Sequence, residues 1–404
     1  MTLDYQRKLS SQMINKKINV VIDLGKSAIR LCVFDEKNKI ISSSIEEIEY
    51  LSNPDNPKKS IKKIIRKSEK QISSHINKIT LLIDDPDYFI LDLSIKKKID
   101  QIQQPDEIQQ TAFTDCSQII SQSYKNTKII NFFINKIFID GTEIIKLPKN
   151  LKDKENIIFQ FKVLCLPNKN LIGIKQELKE NNIDIKNILC SSLVRSNYYL
   201  NLFKNEKVTA FLDIGLNRST LILYEDKKLS YLNNISIGSH HITKDISYIT
   251  NINLEESEQI KKIFNKSESD FSFSNEDHSD GKVTKKLINK NIPIDLLKKI
   301  ILARVDEIFK LSFKDIQLSI KNFLKEELLL VLIGRGSKLF DKNTFNFESI
   351  ENFKDIIFYE ENDHEICKPG LEYGSVNKYE IENFKKTSKK QGIFEKFFNL
   401  FQKI

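Results

Sequence analysis

The sequence predicts an α/β protein built on a duplicated domain, with a cleft between the two copies. The first observation is residues 208–223, Val-Thr-Ala-Phe-Leu-Asp-Ile-Gly-Leu-Asn-Arg-Ser-Thr-Leu-Ile-Leu. An apolar run ends at Phe211 and Leu212, Asp213 closes it, Gly215 permits a tight turn, and Leu221 to Leu223 start a second run. A polar turn at 225–228 and a third apolar stretch at 229–237 come next. The second observation is that residues 19–33, Asn-Val-Val-Ile-Asp-Leu-Gly-Lys-Ser-Ala-Ile-Arg-Leu-Cys-Val, repeat the pattern. Asp23 and Gly25 match Asp213 and Gly215, and a polar turn at 35–39 again precedes a third apolar run. The third is size: 404 residues, 40% of them hydrophobic, suffice for more than one packed domain.

Taken in order, residues 1–15 read as a loose tail and 17–49 as the first strand-turn-strand-turn-strand unit. Pro54 and Pro57 mark a loop at 52–59, and Ser60 is placed to cap a helix whose Ile61, Ile64, Ile65, Ile72 and Ile76 share a stripe. Apolar runs at 78–83 and 88–95 read as strands. Pro105 opens a helix to about Tyr124. Strands are expected at 128–135, 136–140 and 157–166, the last stopped by Pro167. A helix at 170–181 aligns Leu171, Ile174 and Leu178, and a helix at 188–203 leads into the second unit. A helical pair spans 243–264, and the polar stretch 265–291 reads as loops with one short ribbon. Pro293 begins a long helix, 294–309 and onward towards Glu326, with Ile294, Leu297, Ile301, Val305 and Ile308 on one face. A buried strand at 328–333 runs into Gly334-Arg335-Gly336, and 355–359 is the last strand. A linker with Lys385, Lys386, Lys389 and Lys390 precedes a terminal helix. One face of that helix carries Ile393, Phe394, Phe397, Phe398, Leu400, Phe401 and Ile404; the other carries Glu395, Lys396, Asn399, Gln402 and Lys403. Such a face either docks on its own domain or lies in a lipid interface, and the basic linker favours anionic lipid.

The paired hairpins carry the chemistry. A glycine-tipped hairpin brings backbone N–H groups close to an anion, and a carboxylate at a strand end can hold a hydrated divalent cation. Alone, each copy reads as an ordinary turn. Two copies with matching flanks, facing across a cleft, could grip a nucleotide's phosphates. Composition excludes other classes. The net charge of +9 is scattered among acids rather than gathered into an aromatic-interleaved stripe, so nucleic acid is not expected as a partner. The five cysteines form no Cys-x-x-Cys pair, and the five histidines show no metal-ligand spacing. Buried thiols in a reducing compartment are expected. The N-terminus does not resemble a signal peptide, and no run approaches the ~20 apolar residues of a membrane span.

The hairpins resemble the phosphate motifs of the actin-like ATPases. Three further sequences are Ile-Gly-Ser-His-His-Ile-Thr-Lys-Asp-Ile-Ser-Tyr (237–248), Leu-Glu-Glu-Ser-Glu-Gln-Ile-Lys (254–261) and Val-Leu-Ile-Gly-Arg-Gly-Ser-Lys-Leu (331–339). They are similar to segments downstream of the second phosphate motif in the FtsA family of bacterial cell division. The resemblance implies an actin-like ATPase fold, that is, duplicated ribonuclease H-like domains with an FtsA-type extra α/β subdomain. It divides the chain into a first core half at 1–95, completed by 188–205 and 360–380, and the extra subdomain at 96–187. The second half would be 206–242 with 312–359, the upper subdomain 243–311, the linker 381–391, and the membrane-targeting helix 392–404. It implies ATP with Mg2+ as cofactors. Asp23, Gly25, Lys26, Ser27, Asp213, Gly215, Asn217, Arg218 and Ser219 would lie at the phosphates, with Asp23 and Asp213 at the metal. Glu258, Lys261 and Lys262 would lie near adenine, although charges at that spacing also describe a solvated helix face. Gly334, Arg335 and Gly336 would lie near the ribose or phosphate, although Gly-x-Gly is also a plain strand-end turn.

The implied role is a peripheral protein on the cytoplasmic face of the membrane at the division septum. It would self-associate into filaments, hold the FtsZ C-terminal tail in 243–306 and meet other divisome proteins. Lys298, Lys299 and Arg304 are the basic candidates for such a tail. Departures from the family pattern bear on the nucleotide. Leu216 and Asn217 replace two glycines, Thr220 replaces an acid, Ala28 replaces a lysine, and Ser191 stands at the approximate place of an acid that opens the 188–203 segment. Arg218 would then face a phosphate or solvent. Nucleotide binding with slow or absent hydrolysis is the expectation. The rival readings are a PilM-type pilus-assembly homologue, a sugar or acetate kinase, and a chaperone ATPase. The terminal aromatic helix argues against the first two, and the missing substrate-binding domain against the third.

Overall fold

The computed structural model describes residues 18–48, 57–99, 104–145, 147–148, 150–203, 206–264, 292–316, 328–339 and 353–376. The expected features at 265–291, 317–326, 381–391 and 392–404 lie outside them. The chain divides into two compact units, Met1–Pro86 with Glu177–Gly370, and Asp87–Gln176 with Leu371–Ile404.

The larger unit carries two five-stranded sheets of matching topology. In the first, β1 (Asn19–Leu24), β2 (Ala28–Phe34) and β3 (Ile40–Glu47) form an antiparallel meander, followed by helix α1 (Pro57–Ile72) and β4 (Lys78–Ile83) parallel to β1. A fifth strand, β9 (Asp184–Cys190), pairs parallel with β4 and leads into helix α4 (Ser191–Leu200). The second sheet repeats this with β10 (Val208–Ile214), β11 (Ser219–Glu225), β12 (Lys228–Ile235), β13 (Leu328–Ile333) and β14 (Asp355–Phe358). The central strands β10 and β13 are buried along their whole length. Strands covered on both faces read as unbroken apolar runs, which is why these are the clearest in the sequence. Helices α5 (Ser239–Thr250), α6 (Leu254–Phe264) and α7 (Ile294–Phe313) lie between β12 and β13 in the chain. Ile242, Ile246, Leu297, Ile301, Val305 and Ile308 pack with Leu212, Leu223 and Leu330 in one core.

The smaller unit is a four-stranded antiparallel sheet in the order β5 (Phe89–Lys98), β8 (Asn156–Pro167), β6 (Thr127–Ile139), β7 (Thr142–Ile144). Helix α2 (Pro105–Ser123) buries Ile108, Ala112, Cys116 and Ile120 in its core. Helix α3 (Lys169–Glu180) returns the chain to the larger unit.

Five expectations need correction. The strand at 88–95 belongs to this four-stranded sheet and not to the first core, because its partner is β8. The two strands expected at 128–140 are one strand, whose register shifts at Ile129/Asn131 and Ile134/Lys136 let it bend without ending. The start of the helix expected at 188–203 is instead the end of a strand, β9, and the helix begins at Ser191. Pairing parallel to β4 sets the strand, since its seven residues with only a short apolar end carry too little pattern to decide it locally. Helix α1 starts at Pro57, so Ser60 lies in its first turn and not at its cap. Helix α5 starts at Ser239, four residues before the expected Thr243.

All five cysteines are free and buried. No helix among the described residues is long and apolar enough to cross a membrane.

Candidate functional site

The two hairpins place their aspartates by register. In the β1–β2 ladder Asp23 stands opposite Arg30. Arg30 Nη1 donates to Asp23 Oδ2 at 2.9 Å, and Ser191 Oγ donates to Asp23 Oδ1 at 2.6 Å, so both carboxylate oxygens are taken. In the β10–β11 ladder Asp213 stands opposite Thr220, which has no charge to offer. Its cations come from elsewhere. Arg195 Nη2, one turn into α4, donates to Asp213 Oδ2, and Arg218 Nη2 donates to the same oxygen at 3.3 Å. Ser192 Oγ adds a third donor to it. The consecutive serines that open α4 thus hold one aspartate each.

The network continues outward. Asp84, just past β4, pairs with Arg218 and accepts the Ser192 backbone N–H at 3.0 Å. Carboxylates at a helix N-terminus are favoured by the exposed N–H groups and the helix dipole. Glu361 accepts two bonds from Arg195 Nη1 at 2.7 Å, one from Tyr199 and one from the Gly334 backbone N–H. Asp363 accepts from Arg30 Nε at 2.6 Å and Arg335 Nη2 at 2.8 Å, and Arg335 also holds Glu47 with two bonds. Asp23, Arg30, Arg195, Asp213 and Arg218 are all under 9% exposed. Burial raises the Asp213 carboxyl, but Arg195 and Arg218 more than offset this and hold it below the usual carboxylate range. Asp84 goes the other way. Burial raises its carboxyl, Asp213 adds to this, and Arg218 and Arg195 only partly compensate. Three carboxylates, of Asp84, Asp213 and Glu361, share the two guanidiniums of Arg195 and Arg218.

The other expected residues take these places. Gly25 sits at the first hairpin tip beside exposed Lys26, and the Ser27 carbonyl accepts the Ile48 N–H. Gly215 N donates to Arg218 O across the second turn. Asn217 is half-buried, and its Oδ1 has no partner among the described residues. Ser219 Oγ donates to the Ile237 carbonyl and Arg218 is buried, so neither faces solvent. Lys261 is 4% exposed and donates to Glu258, Thr243 Oγ1 and the Ser239 carbonyl. Burial lowers its pKa, with Glu258 opposing. Lys262 is exposed. Gly334 has φ +86, and a Cβ there would come 2.2 Å from Asp213 Oδ1; Gly336 lies against Ile214. Only glycine permits this approach of the strand-end turn to β10. Arg30, Asp84, Ser192, Arg195 and Glu361 do not stand out in the sequence, because all but Arg30 lie far from either hairpin tip in the chain. Arg30 carries a usable signal: a hairpin turning at 25–27 puts residue 30 across from residue 23.

A hydrated Mg2+ and a nucleoside triphosphate are the expected ligands, and the residues present do not fit them. Both oxygens of Asp23 and the Oδ2 of Asp213 already accept donors, and three guanidiniums stand where a cation would approach. The N–H groups that open α5 are likewise spent: Ser239 N and His240 N donate to the Gly215 and Leu216 carbonyls of the second hairpin turn.

This is the duplicated core of an actin-like ATPase fold. The solved PilM-PilN type IV pilus biogenesis complex contains a chain with a TM-score of 0.56 to this one at 12% identity, covering 87% of this chain and 90% of that chain. The activator of the 2-hydroxyisocaproyl-CoA dehydratase from Clostridium difficile, solved with bound ADPNP, has a TM-score of 0.41 at 11% identity, over 93% of this chain and 99% of that chain. Within that class part of the chain is similar to the FtsA family. The family model "Cell division protein FtsA" matches residues 210–396. The cell division protein FtsA of Helicobacter pylori is 26% identical over 92 residues, which are 23% of this chain and 19% of that protein. The match thus spans about a fifth of the curated relative's length.

Proposed function

We propose that this actin-like, FtsA-like protein tethers FtsZ filaments to the cytoplasmic face of the membrane at the division septum. The observation that carries the reading is the FtsA match itself. It runs from β10 through the helices α5 to α7 and on to residue 396, into the terminal segment. The aromatic face of Phe394, Phe397, Phe398 and Phe401, with Ile393, Leu400 and Ile404, is the membrane anchor in this reading. The lysines of 381–391 draw it to anionic lipid. One helix of this length binds reversibly, and self-association into filaments makes attachment firm through avidity. The FtsZ C-terminal tail docks on the α5–α7 region. Lys298 and Lys299 are exposed there, as are Tyr248 and Ile249, whereas Arg304 is held by Asp245 and Glu307. Other divisome proteins are the further partners.

Flotation of anionic lipid vesicles with fluorescent FtsZ tests the reading. FtsZ should float with the full chain and stay behind with a chain truncated before Gly392. A full chain that floats while FtsZ remains behind overturns the partner. A PilM-type membrane scaffold, the reading consistent with the fold likeness to the PilM-PilN complex, would then replace it.

A further inference from the structure

We infer that the guanidiniums of Arg30, Arg195 and Arg218 take the place of a nucleotide-bound cation between the paired hairpins, so that the two sheets of the larger unit are cross-linked with no magnesium nucleotide. The inference rests on the actin-like core and not on FtsZ tethering.

The cross-links run between the halves. Arg195 and Ser192, on the helix after β9, reach Asp213 on β10. Asp84, past β4, pairs with Arg218 of the second hairpin. Arg30 on β2 holds Asp363, beyond β14, and Arg195 holds Glu361 in the same segment. Arg335, just past β13, holds Glu47 at the end of β3. The links of Arg195 and Ser192 to Asp213, of Asp84 to Arg218 and of Arg335 to Glu47 each join one sheet's half to the other, the role that a shared cation and its phosphates would fill, while Asp363 and Glu361 tie the segment after β14 to Arg30 and Arg195. A planar guanidinium suits it, since its donors form several fixed bonds at once while a lysine offers a point charge.

The same network excludes both forms of the ligand. A divalent cation beside Asp213 would face two guanidiniums at close range in a dry site. A triphosphate without its cation would face Asp23, Asp84, Asp213 and Glu361. Like charges in a buried site repel far more strongly than in water. A cluster whose carboxylates and guanidiniums are already paired therefore accepts neither, short of dismantling its own pairs. The adenine end agrees: the buried Lys261 ammonium spends its three donors on Glu258, Thr243 and the Ser239 carbonyl, and none is left to reach for a base.

The test uses the full chain and two variants. Fluorescent mant-ATP is titrated with and without Mg2+, and thermal unfolding is followed in Mg2+ with ATP. No saturable Mg2+-dependent binding and no shift of the unfolding midpoint are expected; saturable binding overturns the inference. Arg218→Ala and Arg30→Ala each remove one guanidinium and free a carboxylate. Their unfolding midpoints should rise with added Mn2+, which leaves the unaltered chain unmoved. A folded variant with no response to Mn2+ overturns the substitution of guanidinium for cation. Should neither variant fold, the mant-ATP titration of the unaltered chain decides. FtsZ flotation reads a separate property, so failure of the tether and failure of this inference are told apart.

Discussion

The two hairpins of the larger unit share a topology and solve one problem differently. Each ends its first strand in a buried aspartate, Asp23 and Asp213. In the first copy the answer is local: the cross-strand neighbour is an arginine, so Asp23 is neutralised within its own hairpin. In the second the cross-strand neighbour is Thr220, and the charges come from the turn (Arg218) and from a helix of the other half (Arg195). The first hairpin can form its ion pair as soon as its strands meet. The second needs Arg195, which arrives only when the two halves pack. A duplicated unit can thus keep its backbone and diverge in where its charges are balanced.

Breaking the second site should cost most. Asp213→Ala takes an acceptor from two buried guanidiniums and from Ser192 at once, each worth about 1–3 kcal/mol, although Glu361 and Asp84 keep one acceptor for each guanidinium. Urea unfolding should show a clear drop in midpoint. Asp23→Ala is milder, about 1–3 kcal/mol by the same measurement, because Arg30 keeps Asp363. If Asp23→Ala proved the more damaging, the contrast between local and assembled neutralisation would fail.

Acid sharpens the comparison. Because Asp213 is held below the usual carboxylate range, its stabilising share is complete above that range. It is lost as pH falls through the folded-state value. A second group acts at milder pH. His240, at the start of α5, is pushed down to about 4 by burial, then by Lys244 and Lys261, with His241 adding and Glu258 opposing. Its unfolded form takes up the proton first, so stability is full above pH 6.5 and falls as pH drops from 6.5 towards 4. Thermal unfolding should show this decline in the unaltered chain, and His240→Gln should flatten it. The smallest effect is expected at the rim: Glu47→Gln weakens a bond from a side chain that is itself 65% exposed and should cost about 0.2–1 kcal/mol, measured by urea unfolding at low salt.

Much of the fold is legible in the chain itself. The continuous apolar runs of β10 and β13 and the stripe on α1 follow from burial on two faces and on one. Strand β9 is not, because seven residues with only a short apolar end carry too little pattern, and the β6 bend looks like a break because a register shift interrupts alternation. In the site, Asp23 and Asp213 stand out and their partners do not. One signal is available. The chain has 64 basic residues, and only seven are arginine, four of which (Arg30, Arg195, Arg218 and Arg335) meet in this network. A sequence that uses lysine almost everywhere keeps arginine where several fixed bonds are needed at once.

The sequence by itself determined the duplication, the two aspartates and the strands that carry them. These depend on residues within a dozen positions of one another, where side-chain period and turn chemistry act directly. Only the tertiary structure decided whether those aspartates stood free for a cation or were already paired. Arg195 and Asp213 are 18 residues apart in the chain, Arg30 and Asp363 are 333, and no local rule relates them. Their meeting depends on how two sheets pack around the start of one helix. In a buried site the Coulomb energy of such meetings decides which ligand, if any, the carboxylates can accept.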